Sequence, residues 1–242
     1  MTISNFNTKS GIYCFHECGL VTDFHAHPSL EIIIAKSGLF SLETPSQKLE
    51  NINAALVRAN QTHRFLGAAA DCMIMMVEEE KLVLPQLLEL LDETGSSTPI
   101  WPIAEKHLNG FGIEQLEEWY NSADRSRQLD DRVLTAKHCI HQLIAEVSPV
   151  TLAEVAQEVK LSPSRLSHLF KAEVGVSIQE YIIWCRLKFA VSYLLSSGGN
   201  LQEATHTAGF YDASHFSRQF KKFFGIAPST VYNNSRIVQG LG

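Results

Sequence analysis

The feature that most constrains the fold of this chain is an internal repeat in its C-terminal half. The segment SRLSHLFK at Ser164–Lys171 is answered by SHFSRQFK at Ser214–Lys221, 50 residues later. Apolar positions upstream match at a spacing of 49, which predicts one extra residue in the turn of the second copy. Solenoids need at least three stacked repeats, so a period near 50 that occurs twice indicates a duplicated structural unit.

Each copy predicts two helices joined by a short turn. In the first copy Thr151 and Glu154 form a capping box, whose side chains satisfy backbone N–H groups at a helix start. Ser162 and Pro163 then supply an N-cap and a first-turn proline for a second helix. Only a few residues remain for the turn, so the layout is that of a helix-turn-helix.

The second helix of each copy has one apolar and one polar face. Leu166 and Phe170 in the first copy, like Phe216 and Phe220 in the second, recur at helical spacing and predict the buried faces. Short polar groups near a helix start can reach base edges in a major groove, while lysines one or two turns later meet phosphates. Solvated surface helices are the alternative interpretation. The outward residues are Ser164, Arg165, His168, Lys171, Ser214, His215, Arg218, Lys221 and Lys222.

Charge also separates the chain into two parts. Residues 1–130 carry 9 Lys and Arg against 18 Asp and Glu, whereas residues 131–242 carry 11 against 8. The acidic part is unsuited to a DNA surface, and the other part is suited to it, although ordinary charge scatter is an alternative. No stretch approaches the roughly 18 apolar residues of a membrane span. We therefore expect a cytoplasmic protein with no membrane partner.

The N-terminal half predicts a compact β domain. Between Ile12 and Val77 short apolar runs alternate with turn residues, which is typical of six to eight strands in an antiparallel sandwich or small barrel. Two amphipathic helices follow, one over Leu82–Leu91 with Pro85 in its first turn and one ending near Tyr120. The predicted class is α+β, with a barrel at 1–80, a helical region at 81–130 and an all-α domain at 131–242.

The C-terminal sequence resembles the AraC/XylS family of bacterial transcription regulators from about residue 131 to 232. The resemblance is carried by Leu161–Lys171 with Gly175, Arg186-Leu187, Gly209-Phe210, Ser214–Lys222 with Gly225, and Pro228-Ser229. A departure is Ala204-Thr205, which replaces the family's usual Ile-Ala pair and places a hydroxyl at a core position.

The resemblance to AraC/XylS regulators implies double-stranded DNA as a partner, and RNA polymerase when the protein acts as an activator. It also implies a bacterial origin. The base-facing positions that it implies are Ser164, Ser167, His168, Ala213, Ser214, His215, Ser217 and Arg218.

A second motif lies in the N-terminal half. Gly19-x5-His25-x-His27-x3-Glu31-x6-Gly38 resembles the first motif of the cupin superfamily, and His63 stands where the second motif has its histidine. Strand alternation places His25 and His27 on one face. Three imidazoles and a carboxylate are a recognised ligand set for iron, manganese or nickel.

Three interpretations of this motif remain open from the sequence. Sensor domains of AraC-like regulators resemble cupins, and in them the same pocket holds an organic effector without a metal. We accordingly expect His25, His27, Glu31 and His63 to contact a small-molecule effector of unknown identity, with no metal or cofactor. A bound metal and a pocket without any ligand are the alternatives.

The sequence therefore predicts a DNA-binding transcription regulator and not an enzyme. We expect a homodimer that forms through the apolar face of the first N-terminal helix, at Leu84, Leu87, Leu88 and Leu91. The alternative function is a metal-dependent cupin enzyme, or a metal-responsive regulator, that uses His25, His27, Glu31 and His63.

Overall fold

The computed structural model describes residues 2–7, 11–78, 80–90, 98–108, 111–122, 129–197 and 200–232. The chain divides into two compact units, Met1–Asp124 with Lys221–Gly242, and Arg125–Phe220. Within these described ranges, no helix is both long and apolar enough to cross a bilayer. The domain limits 1–80, 81–130 and 131–242 stay a prediction.

Antiparallel strands build the first unit. In chain order they are β1 (Thr2–Asn7), β2 (Ile12–Cys18), β3 (Leu30–Ser37), β4 (Phe40–Glu43), β5 (Lys48–Ile52), β6 (Ala54–Val57), β7 (Arg64–Leu66), β8 (Asp71–Val77) and β9 (Ile100–Pro102). Seven of these strands lie between Ile12 and Val77, which agrees with the predicted six to eight.

The strands form two sheets, one in the order β1-β2-β8-β3-β6-β9 and the other in the order β5-β4-β7. In the larger sheet β3 pairs with both β6 and β8, so its residues are enclosed on both edges. The α+β class with an N-terminal antiparallel β domain is thus confirmed. The described strands make two sheets instead of one closed barrel.

The larger sheet packs its apolar face into a core shared with two helices, α1 (Glu80–Leu90) and α2 (Ile113–Ser122). A single 3-10 turn at Glu105–His107 precedes α2. Apolar residues of β2, β3, β6 and β8 meet residues of both helices in this core. The helices therefore cover the sheet, as amphipathic helices beside a β domain are expected to do.

Two predictions about α1 are corrected by this packing. Leu87 is 1% exposed inside the core, and Leu84 and Leu88 pack partly against the same core. Leu87 therefore cannot form a dimer contact; Leu91 lies outside the described residues. Pro85 is also inside the helix and not in its first turn. Burial of Val83 and Leu87 on either side of it offsets the hydrogen bond that a proline removes.

Helices make up the rest of the described chain. They are α3 (Asp131–Ala145), α4 (Leu152–Glu158), α5 (Pro163–Val174), α6 (Ile178–Ser197), α7 (Leu201–Thr207), α8 (Ala213–Phe224) and α9 (Pro228–Tyr232). The pairs α4–α5 and α7–α8 are the two predicted helix-turn-helix copies. Residues 159–162 join the first pair and residues 208–212 join the second, which confirms the extra residue in the second turn.

Local hydrogen bonds fix the helix ends where the sequence predicts them. Thr151 and Glu154 form the reciprocal capping box of α4, and the Ser162 hydroxyl accepts from a backbone N–H of α5. Gly175 ends α5 in the left-handed region with φ 86°, which a residue without Cβ adopts freely. Each capping residue therefore sets the register of its helix.

Candidate functional site: a buried histidine cluster and two exposed helix faces

The backbone brings two distant histidines opposite each other in the first unit. His25 and His63 form an antiparallel bridge in which each N–H donates to the other's carbonyl at 2.9 Å. His27 lies two residues beyond His25, and Glu31 is the second residue of β3. All four side chains are buried. The structure thus gathers the predicted effector-binding set into one cluster, which we call the histidine cluster.

Short distances connect the four groups of the histidine cluster. The Glu31 Oε2 atom lies 3.0 Å from His63 Nε2 and 3.4 Å from His27 Nε2. Ligand nitrogens of His25, His27 and His63 all lie within 4.8 Å of one another, and the centroids of the His25 and His63 rings are 4.2 Å apart. Three imidazoles and one carboxylate therefore converge on one small volume.

Acceptors outside the cluster fix the other nitrogen of each ring. His25 Nδ1 lies 3.0 Å from the Asp23 carbonyl oxygen, and His63 Nδ1 lies 2.8 Å from that of Gln61. His27 Nδ1 lies 3.1 Å from the carbonyl oxygen of Ser29 and 2.8 Å from its hydroxyl. A carbonyl oxygen only accepts, so each Nδ1 carries the proton that it donates. In the neutral form of each ring the lone pair is therefore on Nε2.

The electrostatic surroundings shift the pKa values of three groups in the cluster, two of them down and one up. Burial, followed by the neighbouring His63 and His27, lowers the pKa of His25 to about 3. Burial alone would raise the pKa of the Glu31 carboxyl, but the imidazoles of His27 and His63 outweigh it and hold that pKa below its usual range. Burial lowers the pKa of His63, and contact with Glu31 raises it by more.

Two atoms at the centre of the cluster are poorly satisfied by the protein itself. His63 Nε2 and Glu31 Oε2 are buried, and although they lie 3.0 Å apart, neither has a hydrogen bond of acceptable geometry. An unpartnered buried polar atom costs about 1–3 kcal/mol. These two atoms are therefore candidates for contact with a bound group.

The second candidate site is the polar face of α5. Leu166 and Phe170 point into the core of the second unit, as predicted. The opposite face is exposed at Ser164, Arg165, His168 and Lys171, while Ser167 is half-buried. The predicted DNA-binding residues of the first copy thus share one accessible side of a capped helix.

The corresponding face of α8 has the same arrangement. Its exposed residues are Ala213, Ser214, Arg218, Lys221 and Lys222, and its half-buried ones are His215 and Ser217. The Asp212 carboxylate accepts the backbone N–H of His215 at 2.5 Å and so caps the helix. The Lys221 ammonium lies 2.8 Å from the carboxylate of Asp23, which belongs with it to the first compact unit.

Two features of these sites were not singled out by the sequence analysis. Ser29 orients His27, but a serine beside a proline in a turn carries no signal of that role. Tyr211 is 93% exposed immediately before the Asp212 cap of α8. The sequence offered one signal for Tyr211, which is its position immediately before a predicted recognition helix. Its exposure was not predictable, because aromatic side chains are more often buried.

Comparison with known proteins first concerns the helix-turn-helix region. The sequence family described as a helix-turn-helix domain matches residues 155–234. The arabinose operon regulatory protein of Escherichia coli strain K12 is 39% identical over 101 residues, which make up 42% of this chain and 34% of that protein. Both matches agree with the resemblance of this region to AraC/XylS regulators.

A longer and weaker match covers more of the chain than the helix-turn-helix region. YtdP of Bacillus subtilis strain 168, an uncharacterised HTH-type transcriptional regulator, is 28% identical over 181 residues. These residues cover 72% of this chain and 22% of YtdP. The chain therefore spans between about a fifth and a third of the length of these two curated relatives.

Solved structures match over most of the chain. An apo form of a ToxT variant from Vibrio cholerae has a TM-score of 0.57 at 14% identity, covering 93% of this chain and 97% of that chain. ToxT bound to an unsaturated fatty acid has a TM-score of 0.52 at 16% identity, covering 90% and 93%. At these identities the likeness shows the fold alone, which is an N-terminal domain of sheets and helices followed by a helical region.

Proposed function

We propose that this chain is a sequence-specific DNA-binding transcription regulator whose N-terminal domain responds to a ligand at the histidine cluster. The observation that carries the proposal is the pair of capped helices, α5 and α8, each with a buried apolar face and an exposed polar one. Named relatives of the helix-turn-helix region are transcription regulators, which supports this function over that of a cupin enzyme.

In this proposal α5 and α8 are the recognition helices. The hydroxyls and imidazoles near their N-terminal ends would reach base edges, and Lys171, Lys221 and Lys222 would lie near phosphates. Arg218 is the strongest candidate for base recognition, because a guanidinium can donate two parallel hydrogen bonds to a guanine. The small serines of α5 would contribute less to specificity.

Several partners belong to the proposal as well. The fold shared with ToxT, which has been solved with an unsaturated fatty acid, supports a ligand-responsive N-terminal domain. Contact with RNA polymerase during activation, a homodimer and a place in the bacterial cytoplasm follow from the proposed role. A dimer would use a surface other than Leu87, which the core already buries.

The two kinds of DNA contact give the proposal a sharp test. Arg218→Ala should relax the base preference at one position of the sites selected from random DNA. The discrimination against other bases at that position should fall by about 1–3 kcal/mol. Lys171→Ala should weaken binding to all DNA sequences alike. It should also reduce the slope of log affinity against log salt concentration by about 1. Lys171 is preferred to Lys221 for this test because Lys221 already pairs with Asp23.

Lys36→Ala is the matched control, since it removes one exposed lysine from β3 in the N-terminal unit. Selected sequences and the salt slope should both be unchanged in this variant. If Arg218→Ala and Lys171→Ala behave like Lys36→Ala, the assignment of α5 and α8 as recognition helices is wrong.

A further inference from the structure

We infer that His25, His27, His63 and Glu31 bind one divalent first-row transition-metal ion, and that this ion is the ligand to which the regulator responds. The first half of the inference stands on the geometry of the histidine cluster alone. The second half rests on the proposed function.

The protonation pattern of the rings supports a metal. Three Nδ1 atoms donate to the oxygens of Asp23, Ser29 and Gln61, at 2.8–3.1 Å. Such donation fixes the tautomer and turns each Nε2 lone pair inward, as outer hydrogen bonds do for metal-ligating histidines. Packing in a core does not by itself require all three histidines to donate from Nδ1 to an outer oxygen.

The distances also fit a common ion. Two ligand atoms at about 2.1 Å from a metal and at right angles to each other lie about 3.0 Å apart. Glu31 Oε2 lies 3.0 Å from His63 Nε2 and 3.4 Å from His27 Nε2. The third imidazole, that of His25, has its ligand nitrogen within 4.8 Å of the other two. Small ring rotations would bring all four donors onto one ion.

Other occupants explain less of the site. A His63–Glu31 ion pair accounts for two of the four groups only. An organic acid would bring a second carboxyl group against the buried carboxyl group of Glu31, and neither could satisfy the other while both are ionised. A cation of charge +2 satisfies the carboxylate and the three imidazoles together. The donor set also selects among cations, because imidazole suits Mn²⁺, Fe²⁺, Co²⁺, Ni²⁺ and Zn²⁺, whereas Mg²⁺ and Ca²⁺ prefer all-oxygen shells.

Co²⁺ titration of the full chain tests the metal site. We expect one Co²⁺ per chain by calorimetry, with visible absorption bands that show nitrogen ligation, and no comparable binding of Mg²⁺. His63→Gln and Glu31→Gln should each weaken Co²⁺ binding by at least about 100-fold, because each removes a ligand. His138→Ala is the control, since it removes an exposed histidine of α3 and should leave affinity unchanged.

Unchanged Co²⁺ affinity in both cluster variants would mean an adventitious surface ion and would overturn the inference, as would failure of the wild-type chain to bind Co²⁺. Because either substitution can impair folding, X-ray absorption of the wild-type Co²⁺ complex provides an independent count of ligands. Three imidazoles are expected in the shell. A shell with none or one would also overturn the inference.

DNA binding with and without Co²⁺ tests the regulatory half separately. At a site selected from random DNA, Co²⁺ should change the wild-type affinity by about 5-fold or more, a typical allosteric coupling, and should not change that of Glu31→Gln. Equal affinities with and without Co²⁺ would overturn metal sensing and leave the metal site standing. Loss of DNA binding under both conditions would instead contradict the proposed function.

Discussion

Each histidine of the histidine cluster is oriented by a group two positions away in sequence. His25 and His63 donate to carbonyl oxygens of the residues two before them, and His27 to Ser29, two after it. These hydrogen bonds are local, since each lies within three consecutive residues. The arrangement explains why a motif of four residues can be recognised in sequence while its supporting contacts cannot.

Ser29→Ala tests whether this orientation matters. The hydroxyl lies 2.8 Å from His27 Nδ1, and its loss leaves only the carbonyl contact at 3.1 Å. We expect Co²⁺ affinity to fall by about 10–100-fold, as for other supports of metal ligands, with altered visible absorption of the bound Co²⁺. Ser37→Ala, at the exposed end of β3, is the control. Wild-type affinity and spectrum in Ser29→Ala would show that Ser29 has no positioning role.

At the scale of elements, the helix-turn-helix copies were predictable because their signals are local. Thr151, Ser162 and Pro163 act on backbone groups within a few residues, so the ends of α4 and α5 follow from the sequence. Thr205 shows the limit of such reasoning. It lies in the core at 2% exposure, and its hydroxyl donates to the Gln202 carbonyl, so the polar group is satisfied within its own helix.

The sheet pairings could not be predicted in the same way. β3 pairs with β8, about 40 residues further along the chain, and the bridge from His25 to His63 spans a similar distance. Strand patterns indicate which residues face inward but not which strand lies beside which. Pro85 lies inside α1 because the helix begins at Glu80, two residues before the first leucine of the predicted pattern.

Thr151→Ala measures the contribution of the capping box to α4. It removes the acceptor for the Glu154 N–H and one partner of the Glu154 carboxylate. The free energy of unfolding should fall by about 0.5–2 kcal/mol in urea denaturation followed by circular dichroism. Thr135→Ala on α3 is the control, expected to change it by less than about 0.5 kcal/mol. Equal effects of the two substitutions would contradict a structural role for the cap.

At the scale of the whole molecule, the two halves of the chain have different charge and different chemistry. The N-terminal part is strongly acidic and buries a cluster of metal-ligating groups, whereas the C-terminal part is basic and exposes two polar helix faces. A single chain that combines these features is suited to convert ligand binding in one part into a change of DNA affinity in the other. That conversion depends first on whether the chain binds DNA specifically.

Fluorescence anisotropy with the full-length chain and DNA from its own upstream region tests this most directly. We predict saturable binding that survives a scrambled competitor and weakens steeply between two salt concentrations, because lysines displace counterions from phosphates. With metal content controlled, binding equally to scrambled DNA, or no binding either with or without Co²⁺, would contradict the account.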